Sequence, residues 1–186
     1  MILSNNDIVD FIDDRKLIIE NFNKECMRPS SYLLRIGSKL LKMKDGTELI
    51  DTKKDDTFKF FEEVLISDDG VIINPGDFIL ASSVEKLSFD ESICGDLFQL
   101  SCYARIGLQL NFSSCHIAAT FGIDKPSSIT FEITNFSNRP IKVYPNVKFC
   151  HLRVHEQKSS SSIRYRGIYS GKDEARPSDF NKKPAK

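Results

Sequence analysis

The fold of this chain is decided by residues 74–156. They open NPGDFILASSVEKLSF (74–89), pass through QLSCYARIGLQLNF (99–112) and close ITFEITNFSNRPIKVYPNVKFCHLRVHE (129–156). Apolar and polar residues alternate along these phrases, the period of half-buried strands. Pro75-Gly76, Ser137-Asn138 and Pro145-Asn146 interrupt them where turns belong. The run VIINPGDFILASSVEKLSF (71–89) reads as strand, tight turn, strand. Many short strands with no long helix between them predict an all-β fold, an antiparallel sandwich or distorted barrel. Ser101 and Arg105 fall on one expected strand and Glu132 on another, and this trio is where chemistry is expected.

Towards the N-terminus, residues 4–14 predict one short helix. Ser4 can cap it, Asp7 suits its first turn, and Ile8, Phe11 and Ile12 form an apolar stripe. LIIENF (17–22) reads as a short strand. MRPSSYLLRIGSKLLKM (27–43) reads as a loop entering another strand, with Tyr32, Leu34 and Ile36 on one face. From Lys42 to Glu63 the chain is charged and poor in apolar residues, which predicts a solvated surface loop. After Lys158 comes a serine connector and then RYRGIYSGKDEARPSDFNKKPAK, without periodicity. The expected organisation is a β domain over 1–158 and a flexible tail over 159–186, whose Arg, Lys and Tyr suit a lid over a ligand.

The 186 residues are enough for one domain with a sizeable core, and Lys+Arg balances Asp+Glu at 26 each. Neutral balance gives no general reason to bind nucleic acid or an acidic membrane, so an anionic ligand must be gripped locally. The opening MILSNNDIVDFIDD is no signal peptide, and no run approaches the roughly 18 apolar residues of a membrane helix, so a cytoplasmic location is expected. The five cysteines contain no C-x-x-C pair, and no H-x-E is followed by P-C-x-x-C. That pattern excludes the zinc-dependent base deaminases. His151 and His155 are four apart on an alternating strand, which puts them on one exposed face rather than around a metal.

Six phrases in order carry a resemblance that covers nearly the whole chain: MILSNNDI (1–8), PSSYLLRIG (29–37), INPGDFILASSVEKLSF (73–89), LSCYARIGL (100–108), ITFEITNFSNRPIKVYPNVKF (129–149) and IYSGKDEARPS (168–178). The sequence resembles the deoxycytidine triphosphate deaminase family, within the trimeric dUTPase superfamily. The resemblance implies a dUTPase-like β-barrel, a homotrimer with active sites between subunits, and a C-terminal lid. It implies Ser101, Arg105 and Glu132 as catalytic residues, with Ser101 and Glu132 of one site on different chains. It implies a nucleotide pocket touched by Cys102, His116, Ala118, Phe121, Asp124, Tyr169, Lys172 and Arg176, and Mg²⁺ bound through substrate phosphates rather than zinc held by the protein.

These residue types suit the implied reaction. Replacing the exocyclic amine of cytosine requires water to attack C4, and a carboxylate with a raised pKa can take a proton and return it to leaving ammonia. Glu132 lies between Phe131 and Ile133, whose side chains are expected on the opposite face. A hydroxyl at Ser101 can hold the water or the base edge. Arg105 is a fixed cation able to orient the carboxylate or stabilise the adduct.

The sequence also departs from the family pattern. Leu100 replaces an arginine, Cys102 a serine, and Leu33 an aspartate. The family phrase Ile-Asp-Pro-Gly-aromatic has two possible registers. Counting forward from Arg105 places it at Ile117, Ala118 and Phe121, and the rival register uses Ile123-Asp124. With Ala118, the aspartate that dUTPases use to activate water is missing, which argues against dUTP diphosphatase activity. Arg139, Lys142, Lys172 and Arg176 are candidates for phosphate. Two functions stay open: zinc-independent deamination of a cytosine deoxynucleotide, dCTP to dUTP and ammonia, or a divergent nucleotide-binding or regulatory homologue.

Overall fold

Alternation becomes burial most plainly in the strand that carries Glu132. In this computed structural model, which describes residues 1–111, 114–169 and 171–182, Ser127–Asn135 alternates buried and half-buried residues without a break. Phe131 and Ile133 are fully buried, as their flanking positions predict. Twelve strands form among the described residues: β1 (Leu17–Glu20), β2 (Met27–Arg28), β3 (Ser31–Met43), β4 (Phe61–Leu65), β5 (Val71–Ile73), β6 (Phe78–Phe89), β7 (Ile93–Gln99), β8 (Leu108–Leu110), β9 (His116–Ile117), β10 (Ser127–Asn135), β11 (Ile141–Val143) and β12 (Lys148–Glu156). The main sheet runs β8-β10-β6-β3-β12-β7-β9, with β1 on β6 and β2 and β4 on β3, while β11 and β5 form a separate pair. The fold is all-β, a curled sheet of the kind expected.

The curl is set by β3 and β6. The first half of β3 pairs with β12 and its second half with β6 and β4. A register shift between Ile36 and Leu40 marks the bend. Gly37 sits there, and a Cβ on it would stand 3.1 Å from the Ser82 carbonyl oxygen, so the close crossing needs glycine. Tyr32, Leu33, Leu34 and Ile36 are all fully buried, because this part of β3 is covered on both faces. Pro75-Gly76 makes its turn with Gly76 at φ 83 and the Asp77 N–H donating to Asn74 O at 3.1 Å. The turn leads from β5 in the small sheet to β6 in the large one.

The N-terminal helix α1 (Asn5–Asp13) is capped by Ser4, whose hydroxyl accepts from the Asp7 N–H while the Asp7 carboxylate accepts from Ser4.

Three local expectations are corrected. LSCYAR is not strand: Ser101–Ala104 is a single helical turn, α2, with Arg105 at its C-cap. Residues 42–63 are not simply a solvated loop, since β3 continues to Met43, β4 begins at Phe61, and Thr57 is buried between them. His151 and His155 are half-buried rather than exposed: His151 Nδ1 is 2.9 Å from Ser31 Oγ and His155 Nε2 is 3.0 Å from Asp96 Oδ2.

Residues 163–169 and 171–182 run back over the domain, where Ala175 packs on the cluster of Leu41, Phe61 and Leu80. Of the expected tail, residues 170 and 183–186 lie outside the described residues.

Candidate active site

Glu132 stands mid-strand on β10, on the half-buried face, with its neighbours turned into the core. Burial pushes its carboxyl above the ordinary 4.5 of a glutamate, a shift that its own backbone N–H partly opposes. Among the described residues no cation pairs with it. The strand thus holds a carboxylate in a partly dry place without the partner that would keep it ionised.

The carboxylate lines a cavity of about 690 Å³. His116, Ala118, Phe121, Tyr169, Lys172 and Arg176 line it too, so seven of the eleven predicted site residues meet around one space. Ser101, Cys102, Arg105 and Asp124 do not line it.

Ser101, Cys102 and Arg105 are exposed on the surface of α2. The turn is fastened from behind: the Tyr103 ring lies 4.9 Å from that of Phe149, which lies 5.6 Å from Phe131 on β10. Gly107 then reverses the chain at φ 79, and a Cβ there would meet Ser137 at 2.9 Å. The Arg105 guanidinium has no partner among the described residues. The predicted trio is therefore split within one subunit, with the base in a cavity and the serine and arginine displayed outward.

The backbone discriminates between the two registers of the Ile-Asp-Pro-Gly-aromatic phrase. With Ile117, Ala118 and Phe121 in place, Thr120 stands at the glycine, and its φ is 62. A β-branched residue rarely adopts that conformation, whereas glycine does so freely. The rival register would put Pro126 there, whose ring fixes φ near −65°. Asp124 is exposed and paired with Arg164. Ala118 lines the cavity and Asp124 does not.

The sequence model described as dCTP deaminase-like matches residues 2–157. The chain belongs to the dCTP deaminase-like family. It is 29% identical over 171 residues to the "dCTP deaminase, dUMP-forming" of Persephonella marina, covering 92% of each chain. It is 30% identical over 186 residues to the "dCTP deaminase" of Desulfurococcus amylolyticus, covering 100% of this chain and 99% of the other. Among solved structures it superposes on the 2'-deoxycytidine 5'-triphosphate deaminase of Agrobacterium tumefaciens with a TM-score of 0.65 at 18% identity. That match covers 84% of this chain and 48% of the other, so the chain spans about half the length of that protein.

In this dCTP deaminase-like chain the cavity also has walls that the sequence reading missed. Ile50, Thr52, Thr57 and Phe61 come from the excursion after β3, and Glu174 and Phe180 from the C-terminal segment. Isolated apolar residues inside a charged stretch were the only signal. A second missed feature is the fully buried Glu85 on β6, paired with Arg35. Alternation along Ser83, Glu85 and Leu87 would have flagged it, because it puts a charge in core register.

Proposed function

We propose that this member of the dCTP deaminase-like family hydrolyses the exocyclic amine of a cytosine deoxynucleotide, dCTP, giving a uracil nucleotide and ammonia. The observation that carries this reading is Glu132: a carboxylate held protonatable by burial, without a cationic partner, in the wall of a nucleotide-sized cavity. Water attacks C4 of the base while Glu132 takes its proton. The same proton then goes to the amino nitrogen of the tetrahedral adduct, the C4–N bond breaks, ammonia leaves, and the remaining hydroxyl proton passes to N3 to give the uracil carbonyl. Ser101 and Arg105 complete the site from a neighbouring subunit of a homotrimer, the serine holding water or the base edge and the arginine countering charge on the adduct. Their outward display on α2 supports that arrangement.

Lys172 and Arg176 bring positive charge to the cavity from the C-terminal segment, which acts as the lid. Among the described residues no three His, Cys, Asp or Glu side chains are arranged to hold a metal. Mg²⁺ enters this reading with the phosphates of the nucleotide. No helix among the described residues is long and apolar enough to cross a membrane; a role on free nucleotides is what puts the enzyme, in this reading, in the cytoplasm.

The name of the Persephonella relative adds a second step, cleavage to dUMP. Whether the uracil product here is dUTP or dUMP is read from whether pyrophosphate accompanies the ammonia. The test is a panel of cytosine and uracil nucleotides with Mg²⁺, following ammonia and pyrophosphate separately. Ammonia from dCTP is expected, and ammonia from no cytosine nucleotide would overturn the function. Pyrophosphate appearing with the ammonia would establish the dUMP-forming route instead.

A further inference from the structure

The C-terminal segment has no apolar periodicity, and beside its apolar contacts at Tyr165 and Ala175 and the ion pairs of Asp173 and Glu174 it is held by three buried hydroxyls. Thr120 Oγ1 accepts from the Tyr165 N–H at 2.6 Å, Ser127 Oγ accepts from the Gly171 N–H at 2.9 Å, and Thr57 Oγ1 donates to the Ser178 carbonyl at 2.6 Å. Their residues are 6%, 0% and 5% exposed. They meet the segment at intervals of six or seven residues, and the stretch they span carries Tyr169, Lys172 and Arg176 onto the cavity that holds Glu132.

Thr120 is the most informative of the three. Its φ of 62 is unfavourable for a β-branched residue and free for glycine. What threonine supplies that glycine lacks is the hydroxyl that receives Tyr165, whose ring packs 5.8 Å from that of Phe121 in the cavity wall. Thr57 repeats the pattern at the other end. Its N–H joins its hydroxyl on the Ser178 carbonyl at 3.0 Å, and the Phe180 N–H donates to Asp55 O at 2.9 Å. Ser127 is the middle support, and the Ser128 N–H beside it donates to Lys172 O at 3.1 Å.

We propose that Thr57, Thr120 and Ser127 are positioning residues, a row of buried hydroxyls that seats the lid on the cavity of its own subunit. Its kinetic consequence rests on the proposed deaminase function; the seat itself does not. Thr120 and Ser127 stand behind the cavity lining, and Thr57 is part of its wall. They act by fixing the backbone that carries Lys172 and Arg176.

The test is backbone amide exchange across residues 163–182 in the full chain, for wild type, Thr120→Gly, Thr120→Ser and Thr57→Val. Thr120→Gly removes the hydroxyl and relieves the backbone, so exchange at Tyr165 should rise about three- to tenfold, the worth of one net hydrogen bond, while the thermal midpoint does not fall. Thr120→Ser keeps the hydroxyl and should exchange like wild type. Thr57→Val should loosen Phe180 in the same range. With dCTP, the Thr120→Gly variant should raise KM about three- to tenfold and leave kcat nearly unchanged. Unchanged exchange in both variants, or a Thr120→Ser protein as loose as Thr120→Gly, would overturn the seat. Absence of deamination in wild type would overturn the proposed function alone, leaving the exchange data to decide the seat.

Discussion

The carboxylate of Glu85 is fully buried and accepts two hydrogen bonds from Arg35, one from Nε at 2.7 Å and one from the backbone N–H at 2.8 Å. It joins β6 to β3 near the bend that curls the sheet. Removing one partner of such a pair leaves an uncompensated buried charge, which costs about 3–5 kcal/mol. Glu85→Ala should lose that much stability in urea unfolding. Glu85→Leu combined with Arg35→Met should recover most of it, because two apolar groups leave no charge behind.

Gly122 lies at φ 67 in the turn after the cavity wall, and a Cβ there would run into the Leu87 carbonyl oxygen. Neither backbone can yield easily, since Leu87 is fully buried on β6. Gly122→Ala should therefore cost more stability than the roughly 1 kcal/mol of an ordinary glycine replacement, with the thermal midpoint falling to match. A midpoint within a degree of wild type would contradict the packing described for this turn.

Some of this architecture was legible in the sequence and some was not, for physical reasons. β10 alternates over nine residues and β12 from Cys150 to His155, long enough to display their period. The α1 capping box and the Pro75-Gly76 turn depend on residue types that act locally. The α2 turn is only four residues long, less than the length over which a helical period differs from alternation. The cavity walls at Ile50 and Thr57 and the seating of the lid depend on backbone and hydroxyl bonds between distant segments, which leave no periodic trace. Of the site, Glu132 and its neighbours were readable from alternation, while the outward display of Ser101 and Arg105 required the fold.

Burial raises the folded pKa of Glu132 above its ordinary 4.5. Folding thus favours the protonated form, and that contribution is fully present below the ordinary value and lost as pH rises through the folded one. Near pH 7 the wild type carries a desolvated charge that glutamine lacks. Glu132→Gln should therefore melt higher than wild type around pH 7 to 8, with the difference shrinking towards zero near pH 4. A gain that grows on acidification would contradict the environment assigned to Glu132.

If Ser101 and Glu132 of one site come from different chains, inactive variants should complement each other. Ser101→Ala and Glu132→Gln proteins, each inactive alone, should regain activity after mixed reassembly. With random equal mixing of subunits about a quarter of the sites would carry both residues intact. Activity staying at the level of the separate variants would place both residues in one subunit or outside the site.

The most direct test of the account is the rate of ammonia release from dCTP by wild type and Glu132→Gln. Glutamine keeps the shape of the side chain and removes the base. Deamination should fall by about 10²–10⁴-fold while nucleotide affinity changes little. A wild-type rate that survives Glu132→Gln unchanged would contradict the central claim that this buried carboxylate moves the proton.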